Sequence, residues 1–204
     1  MTRLLSFAMV VVMVGAVGCS SDDLDSDEEA RRAYFGLDES IGKSLTLGFV
    51  GFNAATNANL PANCCNDVGI VSGTLVITGQ VDAGTSDNKQ MRLRIGMVDY
   101  NDGVFRVDGS DQDIDITYDT SADPLLQPEL DLSLHSFPGG TYDGTLIGDY
   151  SMTGDIEGTA TLNLIFTGDI SDDGTGKTVR TPGMTHVTGT ATSGDGTFDV
   201  DITI

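Results

Sequence analysis

GTATLNLIFTGDI, residues 158–170, decides the class of fold. Ala160, Leu162, Leu164 and Phe166 are apolar, and Thr159, Thr161 and Asn163 between them are polar. Side chains alternate across a β-strand, so a two-residue period means one buried face and one wet face. The same period runs through Phe198, Val200, Ile202 and Ile204, through Ile114, Ile116 and Tyr118, and through Leu130, Leu132 and Leu134. Sheets with one wet face are typically antiparallel. Residues 70–81, 89–100, 103–108, 142–153 and 177–192 are further strand candidates.

The turn chemistry agrees. Asp-Gly occurs at 102–103, 108–109, 143–144, 173–174 and 195–196, and Pro138-Gly139-Gly140 forms another turn. Asp and Gly tolerate the positive φ of tight hairpins, although 143–144 also fits inside a strand. TGDI recurs at 153–156 and 167–170 and GTAT at 158–161 and 189–192, but the spacing is irregular and marks similar hairpins, not a solenoid. The expected fold is an antiparallel β-barrel or sandwich of about eight to ten strands. Aromatic residues make up 6% of the chain, too few for the two girdles of a transmembrane barrel.

One segment breaks the period. Ile41, Leu45, Phe49 and Phe52 fall at helical spacing. Asp38 or Ser40 suits the cap, and Pro61 would stop continuation. Gly42, Gly48 and Gly51 each cost a helix about 1 kcal/mol, and Leu45, Leu47 and Phe49 also fit a strand. The reading is one N-terminal helix over about 38–57, lying on or inside the β-structure.

The N-terminus carries a different signal. Arg3 precedes an apolar run from Leu4 to Val17, shorter than the roughly 20 residues a membrane span needs and shaped like a secretory signal. It ends Ala16-Val17-Gly18-Cys19. This stretch resembles the lipobox of bacterial lipoproteins, with Ala16 where leucine is usual. The resemblance covers only the first 19 residues. It implies removal of a signal peptide at 1–18, lipidation of Cys19 and attachment to the membrane of the bacterial cell envelope. In such lipoproteins an aspartate directly after the cysteine holds the protein at the inner membrane. Here Ser20 and Ser21 intervene before Asp22, so the resemblance implies the outer membrane. Residues 19–39 are dense in like charge and read as an acidic, disordered tether. Residues 40–204 then form one β-rich domain.

The formal net charge of −21 excludes nucleic acid as a natural partner and disfavours adsorption onto anionic headgroups. It suits divalent cations or basic partners. Ca²⁺ needs about 6–8 oxygens, and the densest candidates are Asp99, Asn101, Asp102 and Asp111. Acids alternating on a wet strand face also prevent edge aggregation, and that reading is preferred: no metal or other cofactor is expected. SIGKS at 40–44 imitates a phosphate loop, but Leu37 stands where its first glycine belongs. His135 and His186 lack ligands at metal spacing, and no local motif marks a nucleophile. A Ser–His–Asp site assembled from distant strands remains open.

Functionally, the expectation is a non-enzymatic β-domain for binding or structural use. One alternative is a carrier holding a small apolar ligand in a barrel; another is a hydrolase with a loop-assembled site. Cys64 and Cys65, in PANCCND, are the sharpest remaining feature. Neighbours on a strand point apart, but Pro61, Asn63, Asn66 and Asp67 make this a turn, where adjacent cysteines can bond to each other. Free thiols, an intermolecular bridge and a soft-metal or redox site are the alternatives. Exported protein treated with an alkylating label is therefore expected to take up no label at these positions until it is reduced, and two labels afterwards, by intact mass. Uptake before reduction would show free thiols.

Overall fold

The four alternating runs all lie on strands or a bridge of one antiparallel sheet. The computed structural model describes residues 24–61, 63–106, 113–175 and 177–204. The signal peptide, Cys19, Asp111 and the Asp-Gly at 108–109 lie outside the described residues. One helix, α1 (Asp27–Ala54), precedes ten strands. These are β1 (Asn66–Val68), β2 (Ser72–Val81), β3 (Lys89–Asn101), β4 (Ile116–Asp119), β5 (Glu129–His135), β6 (Gly140–Gly154), β7 (Gly158–Asp172), β8 (Thr178–Arg180), β9 (His186–Ser193) and β10 (Gly196–Thr203). Of the expected strand at 103–108, the described residues 103–106 carry one bridge, between Phe105 and Ile114. The run 177–192 is split into β8 and β9 around Pro182-Gly183. Asp143-Gly144 lies inside β6, while 173–174 and 195–196 lie at turns.

The sheet is continuous, in the order β1-β2-β3-β4-β6-β7-β9-β10, with β5 between β3 and β6 and β8 beside β7. Its inner face carries Leu75, Ile77, Met91, Leu93, Leu130, Leu132, Leu146, Leu162, Leu164 and Val200, all buried. That face curls around α1. The helix lies against β2, β3, β8 and β10, meets β4 through Tyr118 and meets β7 through the Tyr34–Phe166 ring contact. Only Asp27, Glu39, Val50, Asn53 and Ala54 of the helix are exposed.

Three expectations about this region need correction. Residues 27–39 are helix, not disordered tether, and neither Asp38 nor Ser40 caps it: the cap is Ser26, whose side chain accepts from the Glu29 amide. Charge density hid the reason. Asp27, Glu28 and Glu29 fill the first turn, where negative charge complements the helix dipole, and Glu28 pairs with Arg31 and Arg32. Between the charges, Leu24, Ala30, Ala33, Tyr34 and Leu37 bury a stripe, and burial of an apolar face is what stabilises most helices. The helix also ends at Ala54, seven residues short of Pro61.

The glycines that count against a helix make its placement possible. A Cβ on Gly48 would stand 2.9 Å from Leu93 Cδ1, and one on Gly36 would meet the Tyr118 hydroxyl and stand 2.9 Å from Phe105 Cε1. Both are closer than packed atoms approach. Replacing Gly36 by Ala gains about 1 kcal/mol in helix propensity, but it overpacks two aromatic rings and threatens the Tyr118 hydrogen bond to the Ala33 carbonyl at 2.8 Å. Gly36→Ala is expected to lower stability by a net of about 2 kcal/mol, read as a drop in the urea midpoint. An unchanged midpoint would show that the rings move aside freely.

Candidate functional site: the polar ties between helix and sheet

The chemistry-bearing side chains of the body collect where α1 meets the sheet. Arg180, on β8, donates to both carboxylate oxygens of Asp38, at 2.8 and 3.0 Å, and to the Asp38 carbonyl. A guanidinium and a carboxylate match as two parallel bonds. Burial alone would lower the Arg180 pKa, but the bonds to Asp38 raise it above its ordinary value. The Tyr34 hydroxyl donates to the same carboxylate at 3.0 Å, and Tyr142 shares a hydrogen bond with Thr185 at 2.8 Å. A cleft of about 320 Å³ opens beside this group, between Gly42 and Thr46 of the helix and Thr181, Pro182 and Gly183 of the β8–β9 turn. Arg180 already spends its fork on Asp38, so the arrangement is a clasp between helix and strand.

A second tie sits on the other side of the helix. Lys43 Nζ lies 2.6 Å from Asp102 Oδ1 and 3.0 Å from the Tyr100 hydroxyl, which donates to Asp102 Oδ2 at 2.6 Å. The residues of the imitation phosphate loop are thus mid-helix. Ser40 and Ser44 hydroxyls donate back to Leu37 and Ser40 carbonyls, and Lys43 is committed to the sheet.

The cysteines form a third contact. Cys64 and Cys65 are disulfide-bonded to each other, in the turn before β1. Cys65 is buried, with its sulfur 3.6 Å from the Leu47 carbonyl. Gly51 allows this approach, because a Cβ there would stand 2.8 Å from Cys65 Sγ and 3.0 Å from Cys64 Sγ. The pair therefore acts as an apolar wedge against the last turns of α1.

The remaining candidates are spread over the outer face. His135 pairs with Asp143 at 2.7 Å and His186 with Asp201 at 2.8 Å, all four exposed. The parity expected for His135, on the face of Asp131 and Ser133, is the one observed. Asp99, Asn101 and Asp102 do not converge. Asn101 donates to Asp115 and Thr117 and accepts from the Gly103 amide, Asp102 is held by Lys43, and the Asp99 carbonyl accepts from Ser72. Among the described residues no group of three or more His, Cys, Asp or Glu is placed to hold a metal ion.

Sequence reasoning missed Arg180–Asp38 and Lys43–Asp102, whose partners lie 142 and 59 residues apart. It also missed that all five tyrosines, Tyr34, Tyr100, Tyr118, Tyr142 and Tyr150, are buried. Parity carried part of that signal, since Tyr118 continues the Ile114, Ile116 face. Comparison with protein-family models, with curated proteins and with solved structures finds no match to this chain. What defines the body is its architecture: an antiparallel sheet wrapped around one N-terminal helix.

The tyrosines make that architecture sensitive to alkali. Burial raises all five phenols above their ordinary value of 10.0, helped at Tyr34 by the Asp38 carboxylate and at Tyr100 by Asp102. A phenol whose folded pKa is raised adds stability that is fully present below about pH 10 and is lost above it, because the unfolded chain then releases a proton the folded chain keeps. Each buried phenol contributes a slope of up to about 1.4 kcal/mol per pH unit in that range. Tyrosinate absorbance and loss of β-sheet circular dichroism are therefore expected to rise together in one step above pH 10. Tyrosine ionisation completed before the sheet is lost would contradict it.

Proposed function

We propose that this chain is a lipid-anchored protein of the bacterial cell envelope, with the outer membrane favoured, whose β-domain binds a partner or serves structurally and carries out no reaction. Ala16-Val17-Gly18-Cys19 after a short apolar run is the sequence support for the anchor. The observation that carries the rest is the occupied interior. The sheet's inner face is packed against α1 through Leu37, Ile41, Leu45 and Phe49, each about 1% exposed or less.

That packing weighs against the carrier reading, since a ligand inside the sheet would have to displace a helix held by Arg180, Lys43 and the cysteine wedge. The placement of the histidines weighs against the hydrolase reading. His186 lines an outer-face cleft of about 380 Å³ with Thr141, Asp143 and Thr167, but each histidine's ring nitrogen is bonded to an aspartate, and a nucleophilic site needs a hydroxyl or thiol aligned with such a pair. What is left for recognition is the outer face and the turns, and a surplus of carboxylates there favours a basic partner.

The anchor is tested by replacing Cys19 with Ser and fractionating cells. The wild-type chain is expected in the membrane fraction, with a mass that begins at residue 19 and carries added lipid. The Cys19→Ser chain is expected to leave that fraction and to lack the lipid. Identical partitioning and identical mass would end the lipoprotein reading.

A further inference from the structure

We propose that the body docks directly on the lipid bilayer through an aliphatic corner formed by the β1–β2 turn and the end of β3, an inference that rests on lipidation of Cys19. Two independent observations lead there: how soon the chain becomes fixed after the anchor, and what is exposed on the rim of the sheet where it becomes fixed.

Leu24 is fully buried, and its carbonyl accepts from the Ser193 hydroxyl at 2.7 Å. Two residues later Ser26 caps α1, and the Asp27 carboxylate accepts from the Asp199 amide of β10 at 2.8 Å. The body is therefore gripped from residue 24 onward. Leu24 is five residues beyond Cys19, and a fully extended chain spans at most about 3.6 Å per residue. A lipid on Cys19 keeps the Leu24 end of the body within about 18 Å of the headgroups. A 21-residue spacer over 19–39 could have held the body well clear of the membrane; this reach cannot.

The rim held there is set by the ladder. Ser193 ends β9, whose Thr192 pairs with Thr161 near the start of β7. Gly158 of β7 pairs with Met152, Gly154 with Ile116, Tyr118 with Tyr100, and Asn101 with Ser72. The β1–β2 turn, the end of β3 and the β9–β10 turn thus lie along one rim of the curled sheet. At the β1–β3 corner of that rim Val68, Ile70, Val71, Val98 and Val104 are between 60% and 73% exposed. They cluster at one corner. Val68 and Val98 lie on the two strands that flank β2, on either side of Thr74, and Val71 Cγ2 lies 3.4 Å from a Cβ built on Gly103, the residue before Val104. Ile70 is tied down through its amide to Asp102 at 3.3 Å, so the corner is presented by a braced turn.

Clustered exposed aliphatic side chains mark an interaction surface, and chain reach says what lies opposite this one. The net charge of −21 opposes adsorption to anionic lipid from solution, but a tethered body does not have to adsorb: the anchor supplies the local concentration, and the aliphatic corner needs only to turn inward. Asp102 beside it is already paired with Lys43. Asp67 and Asp99 remain at the edges, with Asp115 and Asp119 bonded to Asn101 and to the Asp99 amide, and they keep contact shallow, at the headgroup–acyl boundary.

The test uses the full chain, exported, lipidated, purified and reconstituted in phosphatidylethanolamine–phosphatidylglycerol vesicles. An environment-sensitive fluorophore is placed on Ile70→Cys, on Val104→Cys, or on Thr85→Cys in the β2–β3 turn of the opposite rim. The disulfide of Cys64 and Cys65 leaves the new thiol as the one that reacts. Lipids carrying nitroxides on their acyl chains are expected to quench the probes at 70 and 104 several-fold more than the probe at 85. Equal quenching at all three positions, with Cys19 shown by intact mass to carry lipid, overturns docking and leaves the anchored reading standing. An intact mass without lipid overturns both. Quenching at 85 alone overturns the orientation and with it the proposal.

Discussion

The interior of a curled sheet has to be filled, and here one helix fills it. Everything else in the body follows from how close that helix comes to the strands. Where α1 offers Gly36 and Gly48, the sheet offers Tyr118 and Leu93; where it offers Leu37, Ile41 and Phe49, all are buried. At the glycines large meets small and elsewhere ring meets ring, as at Tyr34–Phe166 and Phe49–Phe137, and such interdigitation is how interiors reach crystal-like density without strain. The glycines weaken α1 as an isolated helix, and the packing they permit stabilises it in place. A free helix of this composition would be marginal.

The polar chemistry is arranged around the same contact. A helix enclosed on nearly all sides would bury any charge on its flanks, so each charge that faces the sheet has a fixed counterpart: Asp38 with Arg180, Lys43 with Asp102. Breaking one partner would leave the other poorly solvated, so these pairs specify how the helix is seated more than they add net stability. The tyrosine hydroxyls do similar work at lower cost. Those of Tyr34, Tyr100, Tyr118 and Tyr142 reach Asp38, Asp102, the Ala33 carbonyl and Thr185, adding direction to apolar contacts that have none.

The β-architecture was legible because period two is a local property: Leu162 and Leu164 declare their face whatever they pack against. Turn residues are local too, and Asp173-Gly174 and Asp195-Gly196 mark turns. The helix was half legible. Its apolar spacing from Ile41 to Phe52 showed, but the glycines counted against it, and their value lies in the distance to strands far along the chain. Its first half was hidden because net charge and periodicity gave opposite signals over residues 24–39, and burial of Leu24, Ala33 and Leu37 against β-structure decided between them. The ion pairs were not legible at all. Nothing near Arg180 indicates Asp38, and with 31 acidic residues in the chain no choice among them follows from sequence. The cysteine pair was legible, because adjacency in a turn is sufficient geometry.

The contact between Leu24 and Ser193 spans 169 residues, and that between Asp27 and Asp199 spans 172. The first element made is therefore completed by the last. As the chain is synthesised from its N-terminus, α1 emerges before any strand that will enclose it, and its final neighbour, β10, emerges at the end. Loop closure over such distances has to be offset before these contacts reward it, which slows folding. Until then the apolar stripe of α1 is uncovered, beside the acidic residues of its first turn. A molecule truncated before β10 would lack the strand whose edge holds the start of its own helix.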